Sequence, residues 1–284
     1  MTVVGALDIG GTHVAAARVR LASTTVDARL RLTFTDDTRL LEFVLEAARS
    51  IATTETRRFG VAVPGPFDYE RGVSLVTHKL HGLYGIDVRR ELALALELTD
   101  SALSFVNDAE AFLLGEWWAG AARGHSRVVG ITLGTGLGSA FLEDGRLLRS
   151  GRAPADGELY RLSFRGRPVE ETISRGALLA RYGSDDQTDV VQIAERARAG
   201  ELRAGRVFEE MAADLAEFLA APLGTLRPNC LVVGGSIALA WDLLEPGLVR
   251  GLAEHRALAV ARAVNIDDAA LLGAARHAGT QPEP

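Results

Sequence analysis

Two glycine-rich turns, each set between a pair of predicted strands, constrain the fold of this chain more than any other feature. Residues 6–12 read Ala-Leu-Asp-Ile-Gly-Gly-Thr, and residues 130–136 read Gly-Ile-Thr-Leu-Gly-Thr-Gly. The first glycine of the second turn, Gly134, lies 124 residues after that of the first turn, Gly10. Self-similarity at about half the chain length indicates a duplicated α/β unit. Short glycine hairpins also arise by chance, so the repeat alone leaves the fold open.

Apolar periodicity elsewhere predicts alternating helices and strands. Residues 40–51 place apolar side chains at intervals of three and four, which is typical of an amphipathic helix. Residues 59–63 and 103–106 are short apolar runs that predict buried strands. A long helix is predicted to end near Leu226, and Pro222 inside it predicts a kink or an earlier end. The pattern as a whole indicates an α/β protein.

Composition excludes several classes of protein. The 284 residues carry a formal net charge of −6 with scattered arginines, which disfavours a nucleic-acid partner. Cys230 is the single cysteine, so no internal disulfide or multi-thiolate zinc site can form, and its apolar surroundings predict burial. No stretch approaches the ~20 apolar residues that a membrane-spanning helix needs. No signal peptide precedes the first strand, so a cytoplasmic protein without membrane contact is expected.

The first glycine turn has the chemistry of a phosphate site. Gly10 and Gly11 let backbone N–H groups approach a phosphate, because no Cβ stands in the way. Thr12 adds a hydroxyl, and Asp8 at the strand end can orient the water shell of Mg²⁺. A tight hairpin with an incidental aspartate is the alternative interpretation of the same residues.

The second turn, Gly134-Thr135-Gly136, would be a matching cradle for the same triphosphate. Phosphoryl transfer needs little more than such positioning together with stabilisation of charge. Neither turn is a Walker A loop, and no dinucleotide-binding Gly-X-Gly-X-X-Gly follows the first strand.

Asn107 and Asp108 lie between a predicted strand and a predicted helix, at the sheet edge where α/β proteins place ligands. A carboxylate there can accept the proton of an attacking hydroxyl, and the amide can bind a neighbouring hydroxyl. Both residue types also cap helices, so capping is the alternative role.

The order of these motifs along the chain is more specific than any one of them. The chain carries, in succession, Asp8-Ile-Gly-Gly-Thr12, Pro64-Gly-Pro66, Asn107-Asp-Ala-Glu-Ala111, Leu133-Gly-Thr-Gly-Leu-Gly138, Gly157-Glu158 and Val233-Gly-Gly-Ser236. Over nearly its whole length it resembles the repressor–ORF–kinase (ROK) family of sugar kinases. The resemblance implies an actin-like ATPase (ribonuclease H-like) fold, with ATP and sugar in a cleft between two lobes. Residues 1–107 would form a smaller lobe completed by a C-terminal helix at 267–278, and residues 108–266 a larger one.

The resemblance also implies roles for single residues. Asp108 would be the general base, Asn107 and Glu158 would hold sugar hydroxyls beside Gly65, and Glu170 would reach the sugar near its anomeric end. Phosphate and magnesium would fall to Asp8, Gly10, Gly11, Thr12, Gly134, Thr135 and Gly136. The adenosine side would be lined by Gly234, Gly235 and Ser236, with Ser236 expected to cap the next helix.

Three departures from the family pattern bear on the substrate. Tyr160 stands where most members carry a histidine, which predicts a specificity different from plain glucose. No cysteine or histidine lies between Glu158 and Glu170, so the usual structural zinc is not expected. Lys79 would lie near the substrate or point into solvent, and both remain open.

The sequence favours a kinase over the other functions considered. A repressor of this family would need a DNA-binding domain ahead of the strand that begins at Val3. A non-catalytic sugar- or ATP-binding regulator would be expected to lose Asp108 or a glycine turn, and both are present. An ATP hydrolase or an acetate-kinase-like enzyme would have no use for Asn107 and Glu158. We therefore expect an ATP- and Mg²⁺-dependent kinase acting on a primary hydroxyl of a hexose, amino sugar or sugar-derived cyclitol, as a homodimer by resemblance.

Overall fold

The computed structural model describes residues 2–77, 80–151, 153–183 and 188–281, which form two compact units. Unit 1 comprises residues 1–120 and 267–284, and unit 2 comprises residues 121–266. Each unit has its own buried apolar cluster.

Unit 1 is built on a five-stranded sheet in the order β3-β2-β1-β4-β5. Its strands are β1 Val3–Ile9, β2 His13–Arg20, β3 Thr25–Thr33, β4 Thr56–Val63 and β5 Leu103–Asn107. Its helices are α1 Leu40–Ile51, α2 Val88–Leu96, α3 Asp108–Ala119 and, from the C-terminal part of the chain, α8 Ala269–Gly279. A two-stranded ribbon pairs Phe67–Asp68 with Val73–Ser74.

Local sequence accounts for most of these elements. α1 spans the predicted residues because its apolar side chains recur on one face, and that face is buried. Strand β1 is buried along almost its whole length, whereas the edge strand β3 alternates exposed and half-buried residues. β1 is antiparallel to β2 and parallel to β4, and β4 is parallel to β5, so β1, β4 and β5 end at one edge.

Unit 2 repeats the same strand order, β8-β7-β6-β9-β10. Its strands are β6 Arg127–Leu133, β7 Leu137–Glu143, β8 Arg146–Leu147, β9 Cys230–Gly234 and β10 Ala259–Arg262. Its helices are α4 Arg175–Tyr182, α5 Val190–Arg198, α6 Leu202–Leu226 and α7 Trp241–Gly251. As in unit 1, the first two long strands are antiparallel and the next pairings are parallel. The duplicated α/β unit predicted from the glycine turns is confirmed.

The division between the units falls after Gly120, and not between residues 107 and 108 as the sequence suggested. The reason is the close packing of α3 against α8. A Cβ on Gly115 would lie 1.9 Å from the Ala269 carbonyl oxygen, and one on Gly273 would lie 1.7 Å from the Ala111 carbonyl oxygen. Two helices that approach this closely share one core, so α3 belongs with unit 1.

Helix α6 does not end early at Pro222. It runs on to Leu226, because Pro222 lies on the buried face together with Phe218 and Leu223 and that face packs in the core of unit 2. Burial of this stripe offsets the one backbone hydrogen bond that proline cannot donate. In the same unit, Cys230 is buried, as predicted.

Among the residues that the structure describes, no helix is both long enough and apolar enough to cross a membrane.

Candidate active site

The hairpin between β1 and β2 exposes two backbone donors. The turn is closed by a hydrogen bond from the Gly10 N–H to the His13 carbonyl oxygen, at 2.8 Å. Gly11 and Thr12 at its tip are exposed. Within the described ranges, no acceptor takes the amide N–H of either residue. Two neighbouring amides left open at a strand end can bind an anion.

Asp8 lies at the base of the same hairpin, half-buried near the end of β1. Its Oδ2 is 3.6 Å from Nε2 of His13. The imidazole occupies the space beside Gly10, where a Cβ would lie 2.6 Å from the ring. His13 was not predicted as a site residue, although it directly follows Thr12, the last residue of the predicted phosphate motif. Asp8 can orient hydrated Mg²⁺ here, because oxygen ligands suit that ion.

Asn107 caps helix α3. Its Oδ1 accepts hydrogen bonds from the N–H groups of Ala109 at 3.0 Å and Glu110 at 3.4 Å. Its Nδ2 donates to the hydroxyl of Tyr69 at 3.2 Å. The capping role is therefore present in the structure, and the second N–H of the side-chain amide can still donate to a ligand.

Tyr69 brings two predicted residues together. Its hydroxyl donates to the Val63 carbonyl oxygen at 3.2 Å and accepts from Asn107. A Cβ on Gly65 would lie 3.5 Å from the same hydroxyl. Gly65 and Asn107 thus border one phenol, which the sequence analysis did not identify because a single aromatic residue in a loop gives no distinct pattern.

Asp108 is the first residue of α3, directly beyond the end of β5. Its Oδ1 accepts a hydrogen bond from the Ala109 N–H at 2.9 Å. The carboxylate therefore lies at the start of the helix, where the helix dipole favours negative charge. Lys79, predicted near the substrate, lies outside the described residues.

In unit 2 the hairpin between β6 and β7 has the same design. The Gly134 N–H donates to the Gly136 carbonyl oxygen at 3.0 Å, and the Gly134 carbonyl accepts from the Arg175 N–H at the start of α4. Across the described part of the chain, nothing accepts the amide N–H of Thr135 or Gly136. The two units therefore each present a glycine turn with a pair of open donors.

Glu170 is attached to this hairpin. Its Oε1 accepts a hydrogen bond from the Leu137 N–H at 2.7 Å. A Cβ on Gly136 would lie 2.3 Å from the same oxygen, so glycine there leaves the space that the carboxylate fills. Glu170, predicted to reach the sugar, is thus bound to the second glycine turn by a contact that spans 33 residues and that no local pattern reveals.

The turn after β9 packs on the same hairpin. Gly235 has φ of +84°, and a Cβ there would lie 2.3 Å from the Leu133 carbonyl oxygen. A Cβ on Gly134 would lie 3.6 Å from Oγ of Ser236. Contrary to prediction, Ser236 does not cap a helix: Gly235 takes the N-cap position of a 3₁₀ turn, Ser236–Ala240, without a side-chain cap. Strand β9 ends at Gly234, and the next residue has a positive φ, which glycine adopts without strain.

Glu158 and Tyr160 lie close together ahead of Glu170. Partial burial, followed by the negative charge of Glu158, raises the pKa of the Tyr160 phenol above its ordinary value. The charge of Arg161 opposes this rise in the pKa, and the charge of Glu170 adds to it. Glu158 accepts a hydrogen bond from Arg161 at 3.2 Å. Tyr160 therefore remains a neutral phenol near neutral pH, beside two carboxylates.

Ser139 holds the loop that carries these residues. Its Oγ donates to the Gly157 carbonyl oxygen at 2.6 Å and accepts from the Leu159 N–H at 2.9 Å. The backbone at the start of this loop is unusual, because Ala155, Asp156 and Gly157 all have positive φ. Ser139 was not predicted, although a serine on a buried strand position is a signal for such an anchor.

No group of three histidine, cysteine, aspartate or glutamate side chains placed to hold a metal ion is found among the described residues.

Comparison with known proteins finds relatives that are similar in sequence and in structure along nearly the whole chain. The model of the ROK family matches residues 4–280. Glucokinase from Thermotoga maritima is 26% identical over 309 residues, covering 95% of this chain and 95% of that protein. N-acetylmannosamine kinase from Salmonella newport is 30% identical, covering 95% of this chain and 96% of that protein. Among solved structures, the ROK hexokinase from Thermus thermophilus superposes with a TM-score of 0.78 at 28% identity, covering 96% of each chain.

Proposed function

This chain belongs to the ROK family, and on that premise we propose that it is an ATP-dependent kinase for a primary hydroxyl of a hexose, an amino sugar or a sugar-derived cyclitol. The fold that it shares with the Thermus hexokinase is the actin-like ATPase fold. The kinase names of two relatives, matched along nearly their whole length, support a sugar phosphotransferase.

The observation that carries the proposal is the repeated glycine turn. The open amides of Gly11 and Thr12 in one unit, and of Thr135 and Gly136 in the other, suit the phosphate oxygens of ATP. Gly10 and Gly134 serve by closing the turns. Donors fixed by strand pairing need no reorganisation when charge develops on a phosphoryl group, and this is the main requirement of phosphoryl transfer.

Asp108 supplies the acceptor chemistry. Its carboxylate takes the proton of the sugar hydroxyl as the oxygen of that hydroxyl forms a bond to the γ-phosphorus. The bond from the γ-phosphorus to the bridging oxygen breaks, and ADP leaves with that electron pair. Asn107 donates its second amide N–H to a neighbouring hydroxyl, with Gly65 and Tyr69 beside it.

Magnesium fits the residues at the first hairpin. Asp8 is the carboxylate near the open amides, and it would hold Mg²⁺ through the water shell of the ion. When bound, the ion neutralises charge on the phosphate oxygens.

The other predicted residues divide between sugar and nucleotide. Glu158, Tyr160 and Glu170 bind sugar hydroxyls. The neutral phenol of Tyr160 is a poorer acceptor than the imidazole of a histidine and selects a substrate other than plain glucose. The adenosine side falls to Gly234, Gly235 and Ser236, whose turn packs on the second hairpin. By family resemblance we also propose a cytoplasmic location and a homodimer, and light scattering of the purified protein tests the dimer.

The experiment that tests this function is ADP release from Mg-ATP with a panel of hexoses, amino sugars, N-acetylhexosamines and C7 cyclitols. We expect one class to be turned over. Asp108→Asn is expected to lower turnover by roughly 10²–10⁴-fold, the usual contribution of a positioned general base, with binding of ATP and sugar largely kept.

Asp87→Asn is the matched control. Asp87 caps α2 in the same unit by accepting from the Arg90 N–H at 2.9 Å, and asparagine can do the same. Its turnover should remain that of the wild type. Near wild-type turnover in Asp108→Asn would reduce Asp108 to a helix-terminal residue. Silence across the panel from a protein that binds ATP would favour a non-catalytic regulatory role.

A further inference from the structure

The segment from residue 157 to residue 172, here called the carboxylate segment, carries three proposed sugar-binding residues, Glu158, Tyr160 and Glu170. Its regular structure is short: two 3₁₀ turns and a hairpin that pairs Ser163–Phe164 with Arg167–Pro168. So little internal pairing does not fix side chains to the tolerance that a binding site requires. The rigidity has to come from contacts with the rest of unit 2.

Arg165, at the tip of this hairpin, is fastened to helix α6. Its guanidinium lies 2.8 Å from Oδ1 of Asp214, and it also pairs with Glu217 one turn further along α6. The same guanidinium lies over the ring of Phe164, 4.6 Å from its centroid. Phe164 in turn packs edge-on against Phe218 of α6, with ring centroids 5.9 Å apart. The hairpin tip is therefore held by charge and by apolar packing together.

Asp214 also holds the C-terminal end of the segment. Arg181 of α4 pairs with Oδ2 of Asp214 and donates from the same nitrogen to the Thr172 carbonyl oxygen, at 3.0 Å. Thr172 lies two residues beyond Glu170. One side chain on α6, 7% exposed, thus binds two arginines that secure the hairpin tip and the end of the carboxylate segment.

We propose that Asp214, acting through Arg165 and Arg181, is a positioning residue that fixes Glu170 and Tyr160 for binding the sugar. Removing its charge leaves Arg181, whose side chain is 20% exposed, without its carboxylate partner, which is costly for a largely buried charge. Arg165, 56% exposed, keeps only its pairing with Glu217. The segment would then loosen at the hairpin tip and at Thr172 while strands β6, β7 and β9 stay intact. The inference rests on the proposed function, because sugar is the ligand that Glu170 and Tyr160 are held to bind.

The test uses Asp214→Asn and Arg165→Ala in the full-length protein, with Arg198→Ala as the matched control. Arg198 makes a bidentate ion pair with Asp242, with N–O distances of 2.9 and 2.6 Å. This pair links α5 to α7 and does not involve the carboxylate segment. With N-acetylmannosamine, or with another substrate of the panel if the wild type turns that one over instead, we expect the KM for sugar to rise about tenfold in both variants. This rise is within the up to 10²-fold that a misplaced group can cost. The KM for Mg-ATP should change by less than about twofold, and Arg165→Lys should recover part of the loss.

A second readout does not depend on activity. In both variants the amides of residues 157–172 should exchange with deuterium faster than in the wild type, with those of α7 unchanged. Arg198→Ala should alter neither the exchange of that segment nor the KM for sugar. Unchanged exchange at residues 157–172 in both variants would overturn the inference. Faster exchange in a protein that turns over no sugar would uphold the fastening and count against the proposed function alone.

Discussion

Replacing Gly136 with alanine is expected to break one hydrogen bond and so destabilise unit 2. The added Cβ would lie 2.3 Å from Oε1 of Glu170, whereas ordinary contact begins at 3.4 Å. The carboxylate must therefore retreat by about 1 Å, since atoms in a packed protein tolerate little overlap. That movement removes the 2.7 Å hydrogen bond from the Leu137 N–H.

The magnitude follows from the burial of Leu137, which is 3% exposed. A buried N–H left without an acceptor costs about 1–3 kcal/mol. The carboxylate is the free end of a flexible side chain, so the backbone of the hairpin need not move. We therefore expect the free energy of unfolding to fall by about 1–3 kcal/mol, the cost of the lost hydrogen bond.

A double-mutant cycle measured by urea denaturation isolates this contact. In a Glu170→Ala background the hydrogen bond is already absent and the space is empty, so Gly136→Ala should cost no more than about 0.5 kcal/mol. Gly11→Ala in the equivalent turn of unit 1 is the matched control, because a Cβ there meets no atom within 4 Å. Its effect should stay within about 0.5 kcal/mol. Equal penalties for Gly136→Ala in both backgrounds would refute the reasoning and assign the cost to the turn itself.

Two further predictions concern glycines inside helices and a half-buried carboxyl group. Gly115→Ala should lower the free energy of unfolding by about 1–3 kcal/mol or more, because the added Cβ would meet the backbone oxygen of Ala269, and backbone moves less readily than a side chain. Gly205→Ala in α6 is the control, since nothing lies within 4 Å of its Cβ, and it should raise the free energy of unfolding by about 0.5–1 kcal/mol. Thermal or urea unfolding measures both. Burial raises the pKa of the Asp268 carboxyl above its ordinary 3.8, despite the ion pair with Arg29, so the folded state favours the protonated acid. The unfolding free energy of the wild type relative to Asp268→Asn should therefore fall as pH rises from below 3.8 through the folded pKa, and a difference that stays flat in urea titrations across that range would contradict this.

The sequence predicted what depends on neighbouring residues. The strands that end in glycine turns, the helix from residue 40 to 51, and the positions of Asp8 and Asn107 at strand ends all follow from local periodicity and turn chemistry. The repeat of the two turns was visible because each begins with a glycine directly after its strand, Gly10 in one unit and Gly134 in the other.

Contacts between distant residues could not be predicted in this way. The bond from Leu137 to Glu170, the phenol of Tyr69 beside Asn107, and the fastening of Arg165 on α6 join segments that no spacing rule connects. That α3 belongs to unit 1 was missed for the same reason. It depends on the contact of Gly115 with Ala269 of α8, about 150 residues further along the chain, and one glycine inside a helix does not reveal which element packs against it.

Helix α8 has a consequence for the order in which the chain can fold during synthesis. Unit 2 is a continuous stretch, residues 121–266, so all of its strands and helices have been synthesised before α8. Unit 1 is interrupted by that stretch and needs α8 to pack against Gly60 of β4 and Gly115 of α3. A domain normally folds as its own segment is completed, from the N-terminus onward. Here the part of unit 1 that precedes residue 121 is made before unit 2 but cannot complete its core until α8 has been synthesised. Unit 1 is therefore the last of the two units to complete its fold.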